Sequence, residues 1–375
     1  MTSSLPETHT ALVQSIYARP LELKSLSTPQ PIPGSAIIRM LYAPVVSYSK
    51  DVFNGTRAYP YPTPLVPGPS GIGRIAALGP DATSLQVGQL VYVDSVIRSR
   101  DDPTDVFLLG LTQGGTQGSA KLMKEVWRNG TYAEYVAIPL ENVAVMNEEK
   151  VLGKLGYKES ELAALSRYAV PYGGLRDIGL EVGETVVVTP ATGAFGGAAV
   201  AVALAMGADV VATGRNEEKL KGLVKRFGEE RVKTVRITEN VEDDTEALMK
   251  AAGGPVDAVF EISPPMAAKS THIKSAILAL RHGGRVSLMG GILDDYAVPL
   301  RTIMRKNIAL RGKWMCQRAD VKSLVRMVEA GILKVGERGG VKTVGEYGFK
   351  DWEEAFEVAS KEAGWDAAVV LRAEE

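Results

Sequence analysis

The feature that most constrains this chain begins at residue 185, where TVVV runs into TPATGAFGG (189–197), the small-residue run AAVAVALAM and then DVVAT. Two apolar β-branched runs separated by a glycine turn and an apolar helical stretch predict a βαβ unit, whose parallel strands need a crossover helix. The alternation continues. A helical pattern at 217–226 precedes VKTVRI, DAVFEIS, GRVSLMG and NIALRG, which predicts an α/β, doubly wound parallel sheet over 151–315.

Other parts of the chain do not share that rhythm. From 12 to 146 the apolar runs are short and alternating, as in SAIIRML, GIGRIAALG, QLVYVDSV and AEYVAI, with Gly and Pro between them, so an antiparallel β domain is expected. The amphipathic helix DVKSLVRMVEAGIL, the turn-like EYGFK, the helix WEEAFEVAS and a last strand AAVVLRA do not extend the alternation. They are expected to rejoin the first domain, giving domains of 1–150 with 316–375 and of 151–315. Two domains also suit 375 residues, since single cores stop growing at roughly 250–300. Residues 98–129 form a polar, glycine-rich excursion with a helical pattern only in SAKLMKEVW. Long ordered loops of this kind are commonly functional, and a solvated lid or dimer-contact loop is the alternative.

Charge and cysteine usage narrow the function. Lys plus Arg number 43 against 44 for Asp plus Glu, and no basic stripe occurs, which argues against a nucleic-acid partner. The N-terminus has no basic segment followed by an apolar core, and glycines and Asp209 break the most apolar stretch, so neither a signal peptide nor a membrane span is expected. A single cysteine, Cys316, excludes an intrachain disulfide and any multi-cysteine zinc cluster. A cytoplasmic location follows as the default.

In the turn itself the best register is Ala191, Gly193 and Gly196. Backbone N–H groups at such a helix N-terminus, here around Ala194 and Phe195, bind phosphate with help from the helix dipole. Gly193 suits close approach of a ligand, Gly196 suits tight helix–strand packing, and Ala191 fills a slot where glycine would only ease the turn. At the end of the second strand, TGRNEEKL has no acidic residue to accept from a ribose 2′-OH. Instead Arg215 and Asn216 follow, with Lys219 one turn on, and cations there favour a 2′-phosphate and hence NADP(H). The alternative leaves Arg215 and Lys219 solvated and bends Glu217 or Glu218 back to the ribose. Ser263, at one later strand end, is expected beside the adenosine, and Gly290 with Gly291, at the next, beside the nicotinamide.

The whole chain resembles the medium-chain dehydrogenase/reductase superfamily, in LVPGPSGIGRIAALGPDATSLQVGQLVYV, GTYAEYVAIPLENV, GLEVGETVVVTPATGAFGG, ALRHGGRVSLMGG and the closing AAVVLR, taken in this order and spacing. The resemblance implies a GroES-like β domain joined to a Rossmann domain. The zinc-dependent branch places cysteine in the segment matching VVSYSKDV and His-Glu where this chain has Pro69 and Ser70. Ser47 or its neighbours, Pro69 and Ser70 are poor or impossible zinc ligands, so both zincs are expected to be absent. The implied class is the zinc-independent branch of quinone, enone and carbonyl reductases. By the same resemblance Tyr48 is placed to donate to a substrate oxygen and Lys50 to lower its pKa or bind the cofactor ribose. Packing roles for both stay open. Tyr172 matches a position that walls the nicotinamide, the three histidines His9, His272 and His282 read as structural, and NIALRGKWM matches an edge strand through which relatives form homodimers.

The expected activity is therefore NADP(H)-dependent hydride transfer to an activated C=C bond or quinone of a small or medium organic substrate. Two readings stay open beside it: a ketone reductase or secondary-alcohol dehydrogenase using Tyr48, and a non-catalytic NADPH-binding sensor or partner-binding module.

Overall fold

The computed structural model describes residues 5–373. Six parallel strands form one sheet in the order Val232–Arg236, Asp209–Gly214, Thr185–Thr189, Val256–Glu261, Leu280–Leu288 and Ala309–Gly312. Numbered along the chain this order is 3-2-1-4-5-6, the Rossmann arrangement, and its order reverses beside Thr185–Thr189. Val186, Val187 and Val188 are wholly buried, as expected of a central strand covered by helices on both faces. Both the helix Ala194–Ala205 and the helix Ser166–Asp177 pack on this sheet.

A second sheet of seven strands carries Ser35–Val45, Gly71–Leu78, Leu90–Val93, Tyr135–Pro139 and Val143–Val145. The C-terminal strand Ala367–Arg372 adds antiparallel to Ser35–Val45, with Val369 opposite Val45, so the end of the chain joins the sheet built by its N-terminal part. Beside it lies Lys342–Gly348, a strand of which the sequence pattern marks only the turn-like EYGFK. Its residues alternate between exposed and half-buried, the mark of an edge strand whose apolar content is too low to stand out. The short helix Glu159–Ala163 packs on Ser35–Val45 and Gly71–Leu78, which carries the first unit past residue 150.

The excursion is packed. Val96–Arg98 pairs with Val106–Leu108, and the helix Gln117–Glu125 starts at a capping box in which Thr116 and Ser119 satisfy each other's backbone N–H groups. Phe107, Leu109, Leu111 and Met123 beneath it are buried, so the segment is not a solvated lid. The crossing back from the Rossmann sheet runs close under Ser166–Asp177, where a Cβ on Gly173 would lie 2.6 Å from Cα of Cys316. Among the described residues no helix is long and apolar enough to cross a membrane.

Candidate active site

A cleft of about 970 Å³ opens between the two sheets, at the carboxyl ends of Thr185–Thr189, Asp209–Gly214, Val256–Glu261 and Leu280–Leu288. Ligands of open α/β sheets lie at such a reversal of strand order. The glycine turn forms its floor. Ala191 N–H donates to the Thr213 carbonyl at 2.7 Å, which ties the turn to the neighbouring strand. Gly193 is the N-cap of Ala194–Ala205 and offers no capping side chain, so the N–H groups of Ala194, Phe195 and Gly196 face the cleft without a side-chain acceptor. A Cβ on Gly196 would overlap the Pro190 carbonyl oxygen and come within 2.8 Å of Ala191 Cα, whereas one on Gly193 would meet no protein atom within 4 Å. Gly196 thus serves packing, and the space above Gly193 belongs to the cleft.

Beyond the turn, Gly214, Arg215 and Asn216 line the cleft. Asn216 Oδ1 accepts from Lys219 N–H at 3.0 Å and so caps the helix Glu217–Phe227, leaving its amide NH2 for a ligand. Arg215 is exposed and has no ion-pair partner among the described residues. Nearby carboxylates are all engaged: Glu217 with Arg236 at 3.1 Å, Glu218 with Lys221 at 2.9 Å, and Glu239 with the Ser270 hydroxyl at 3.0 Å and Thr271 N–H at 2.9 Å. Lys219 requires a correction. Its ammonium lies against Gly364 and does not line the cleft, because Glu217–Phe227 turns that side chain toward the C-terminal loop.

Ser263, Gly290 and Gly291 also line the cleft. The buried Glu261 carboxylate organises them, accepting from Ser263 N–H at 2.6 Å and Gly290 N–H at 3.0 Å, while Gly291 N–H donates to the Ser263 carbonyl at 2.9 Å. Only glycine fits at 290, since a Cβ would strike that carboxylate. His272, read from sequence as structural, faces the same cleft. Its Nε2 lies 2.7 Å from Ser263 Oγ and its Nδ1 2.7 Å from Ser270 Oγ. Burial lowers its pKa, opposed by the Glu239 carboxylate and aided by Arg215, so the neutral ring is favoured. Neither Glu261 nor the His272 network carries a local motif, which is why the sequence did not reveal them.

At the other end stand Ser47, Tyr48, Arg57, Tyr59, Leu108, Met289, Trp314 and Met315. The Tyr48 hydroxyl has no hydrogen-bond partner among the described residues, and burial, then the neighbouring Tyr59, push its pKa up to about 12 against the pull of Arg57. It is therefore a neutral, unused donor. Arg57 Cζ sits 4.2 Å over the Tyr48 ring and 4.9 Å over the Tyr59 ring. Lys50 requires a second correction: on the helix Ser49–Phe53 it points outward to Glu357, at the surface, and takes no part in tuning Tyr48. Tyr172 requires a third. Ser166–Asp177 is helical, so residues two apart face nearly opposite ways, and Val170 lines the cleft while Tyr172 is buried beneath the Arg176 guanidinium.

The positions matched above to zinc ligands, Ser47 or its neighbours, Pro69 and Ser70, carry no thiol, imidazole or carboxylate at 47, 69 and 70. Pro69 has no side-chain donor and Ser70 is buried, while Cys316, the one thiol of the chain, is buried with its pKa pushed up by desolvation. Among the described residues no three His, Cys, Asp or Glu side chains gather to hold a metal ion.

Two family models match the chain: "Alcohol dehydrogenase GroES-like domain" over residues 32–148 and "Zinc-binding dehydrogenase" over residues 194–330, together more than half of it. Alcohol dehydrogenase 1 of Caenorhabditis elegans is 26% identical over 352 residues, covering 89% of this chain and 91% of its own. L-threonine 3-dehydrogenase of Streptomyces avermitilis is 26% identical over 365 residues, covering 94% and 97%. A thermostable alcohol dehydrogenase from Pyrobaculum aerophilum shares the fold with a TM-score of 0.72 at 22% identity, covering 97% of this chain and 99% of its own.

Proposed function

Because the chain belongs to the medium-chain dehydrogenase/reductase superfamily, we propose that it is a zinc-free, NADP(H)-dependent oxidoreductase acting on a carbonyl-conjugated C=C bond or quinone of a small or medium organic substrate. The observation that carries this reading is the unpartnered Tyr48 phenol at one end of a cleft whose other end holds the glycine turn and the unpaired Arg215. Bound there, the nicotinamide would supply hydride. Uncapped N–H groups of Ala194, Phe195 and Gly196 suit its phosphates, and the engaged state of Glu217, Glu218 and Glu239 supports a 2′-phosphate held by Arg215 and Asn216.

With Pro69, Ser70 and Ser47 in place of metal ligands, polarisation of the substrate falls to a hydrogen-bond donor. A phenol with a pKa of about 12 stays protonated at neutral pH and can donate to the carbonyl oxygen as negative charge builds on it. Hydride addition to the β-carbon of an enone needs no more than this, since the enolate can take its carbon-bound proton from solvent. The same donor would serve direct carbonyl reduction, and the alcohol and threonine dehydrogenases among its relatives favour that second reading.

An isologous dimer through Ala309–Gly312 completes the proposal. That strand is the edge of the parallel sheet, and the exposed apolar side chains Leu300, Met304 and Trp314 lie next to it in sequence.

The test is NADPH oxidation against a panel of enones, quinones, ketones and aldehydes, with product analysis to separate saturated ketone from alcohol. Tyr48→Phe should cut kcat by about 10²-fold, the usual scale for a lost oxyanion donor, with little change in NADPH affinity. An unchanged rate removes Tyr48 from the chemistry, and NADPH binding without turnover of any substrate supports a binding module instead.

A further inference from the structure

We propose that the substrate carries a carboxylate and that Arg57 is its anchor. This rests on the reading of the cleft as a hydride-transfer site and adds the class of molecule that fills it.

Arg57 lines the Tyr48 end of the cleft, half-buried, with no carboxylate paired to it among the described residues. Its guanidinium is fixed by the faces of Tyr48 and Tyr59. The backbone beneath is fixed as well: Arg57 N–H donates to the Asp51 carbonyl at 2.7 Å, and the Tyr59 carbonyl accepts from the Tyr17 hydroxyl at 3.2 Å. A planar fork held between two rings loses little further freedom on meeting a planar anion, which it grips bidentately. Among the described residues the one carboxylate lining the cleft is Glu239, which is already held by Ser270 and Thr271 beside His272. The protein therefore leaves the Arg57 charge for a ligand.

Geometry separates that ligand from the cofactor phosphates. The Cβ position of Gly291, which follows Leu280–Leu288, lies 3.7 Å from Arg57 Nη2. The glycine turn follows Thr185–Thr189, two strands away in the sheet, which is roughly 10 Å at the usual spacing. Arg57 and the Tyr48 hydroxyl thus mark two polar contacts in one subsite: the phenol for the carbonyl oxygen beside the reacting bond, the guanidinium for a carboxylate farther along the molecule. An unsaturated oxo acid has both groups.

The experiment uses the full-length protein with 4-oxo-2-pentenoate and its methyl ester as matched substrates. Wild type should prefer the acid by about 10- to 100-fold in kcat/KM, the range for a hydrogen-bonded charged partner, and mainly through KM. Arg57→Gln should bring the ratio of acid to ester towards one, and Arg57→Lys should keep part of the preference. In parallel, calorimetry on the NADP+ complex with the unreactive 4-oxopentanoate and its methyl ester reads binding without turnover. Binding of the acid alone, abolished by Arg57→Gln, supports the anchor even if no substrate in the panel is reduced, in which case the hydride-transfer reading fails by itself. Equal use and equal binding of acid and ester overturn the anchor. So does an Arg57→Gln variant whose loss is in NADPH affinity, which would make Arg57 a cofactor residue.

Discussion

Replacing Gly193 by Ala separates the ligand role of the glycine turn from its structural role. At this position φ is −87° and ψ 173°, extended geometry that alanine adopts freely, and an added methyl meets no protein atom within 4 Å. Folding stability should therefore hold, or rise by about 0.4–1 kcal/mol as the unfolded chain loses freedom. A phosphate oxygen on the neighbouring N–H groups sits about 2.9 Å from nitrogen, while a methyl carbon needs some 3.5 Å of its own, so the ligand must retreat by roughly 0.6 Å. Two hydrogen bonds to a charged group are then weakened, at about 1.5–3 kcal/mol each, which corresponds to a loss of at least about 100-fold in NADPH affinity. Gly196→Ala provides the contrast, because its methyl would overlap the Pro190 carbonyl and push helix from strand. That variant should lose affinity together with about 1–3 kcal/mol of stability. Urea unfolding of the apo protein and fluorescence titration with NADPH measure both quantities. Wild-type affinity in Gly193→Ala, or a stability loss of more than about 1 kcal/mol, refutes the placement of phosphate above this residue.

Two further outcomes follow from charged groups. Arg215→Ala should raise KM for NADPH by at least about tenfold while leaving NADH nearly unaffected, as expected for loss of a charge-assisted bond to the 2′-phosphate; equal effects on both cofactors would mean that the guanidinium stays in solvent. Burial pushes the Asp94 carboxyl up to about 6, opposed by the Val96 N–H and Arg98, so the folded state holds a proton there that the unfolded chain has already released. Stability from this group is highest below pH 4 and falls as pH rises to 6, by up to about 3 kcal/mol for a shift of about 2 units. Urea midpoints at pH 4.5 and 7.5 should show wild type losing this increment relative to Asp94→Asn, and parallel behaviour of the two would remove Asp94 as the cause.

What the sequence made legible is what depends on neighbours along the chain. A strand, a glycine turn and a small-residue helix are contiguous, so TVVVTPATGAFGG reported both the sheet and the glycine turn at the cleft, and Arg215 could be counted from it. Side-chain direction was less accessible. Tyr172 and Val170 differ only by which face of one helix meets the cleft, and nothing in VPYGGL marks that helix, since it contains Pro171 and two glycines. Lys50 and Lys219 stood at the right distance along the chain but are drawn off, one by Glu357 and the other toward the loop at Gly364, both supplied more than a hundred residues away. Arg57 and His272 were hidden for another reason, since their partners are near in the chain but are brought together only by how the loops fold. One acquires meaning only when the segment at 57–59 folds over Tyr48, and the other when the strand ending at Glu261 brings Ser263 to its ring. Local pattern thus located the glycine-turn end of the cleft, where the proposed binding would fall to backbone N–H groups. The substrate end, built from isolated side chains on separate loops, took form only in the folded molecule, and it is there that Tyr48 and Arg57 await their tests.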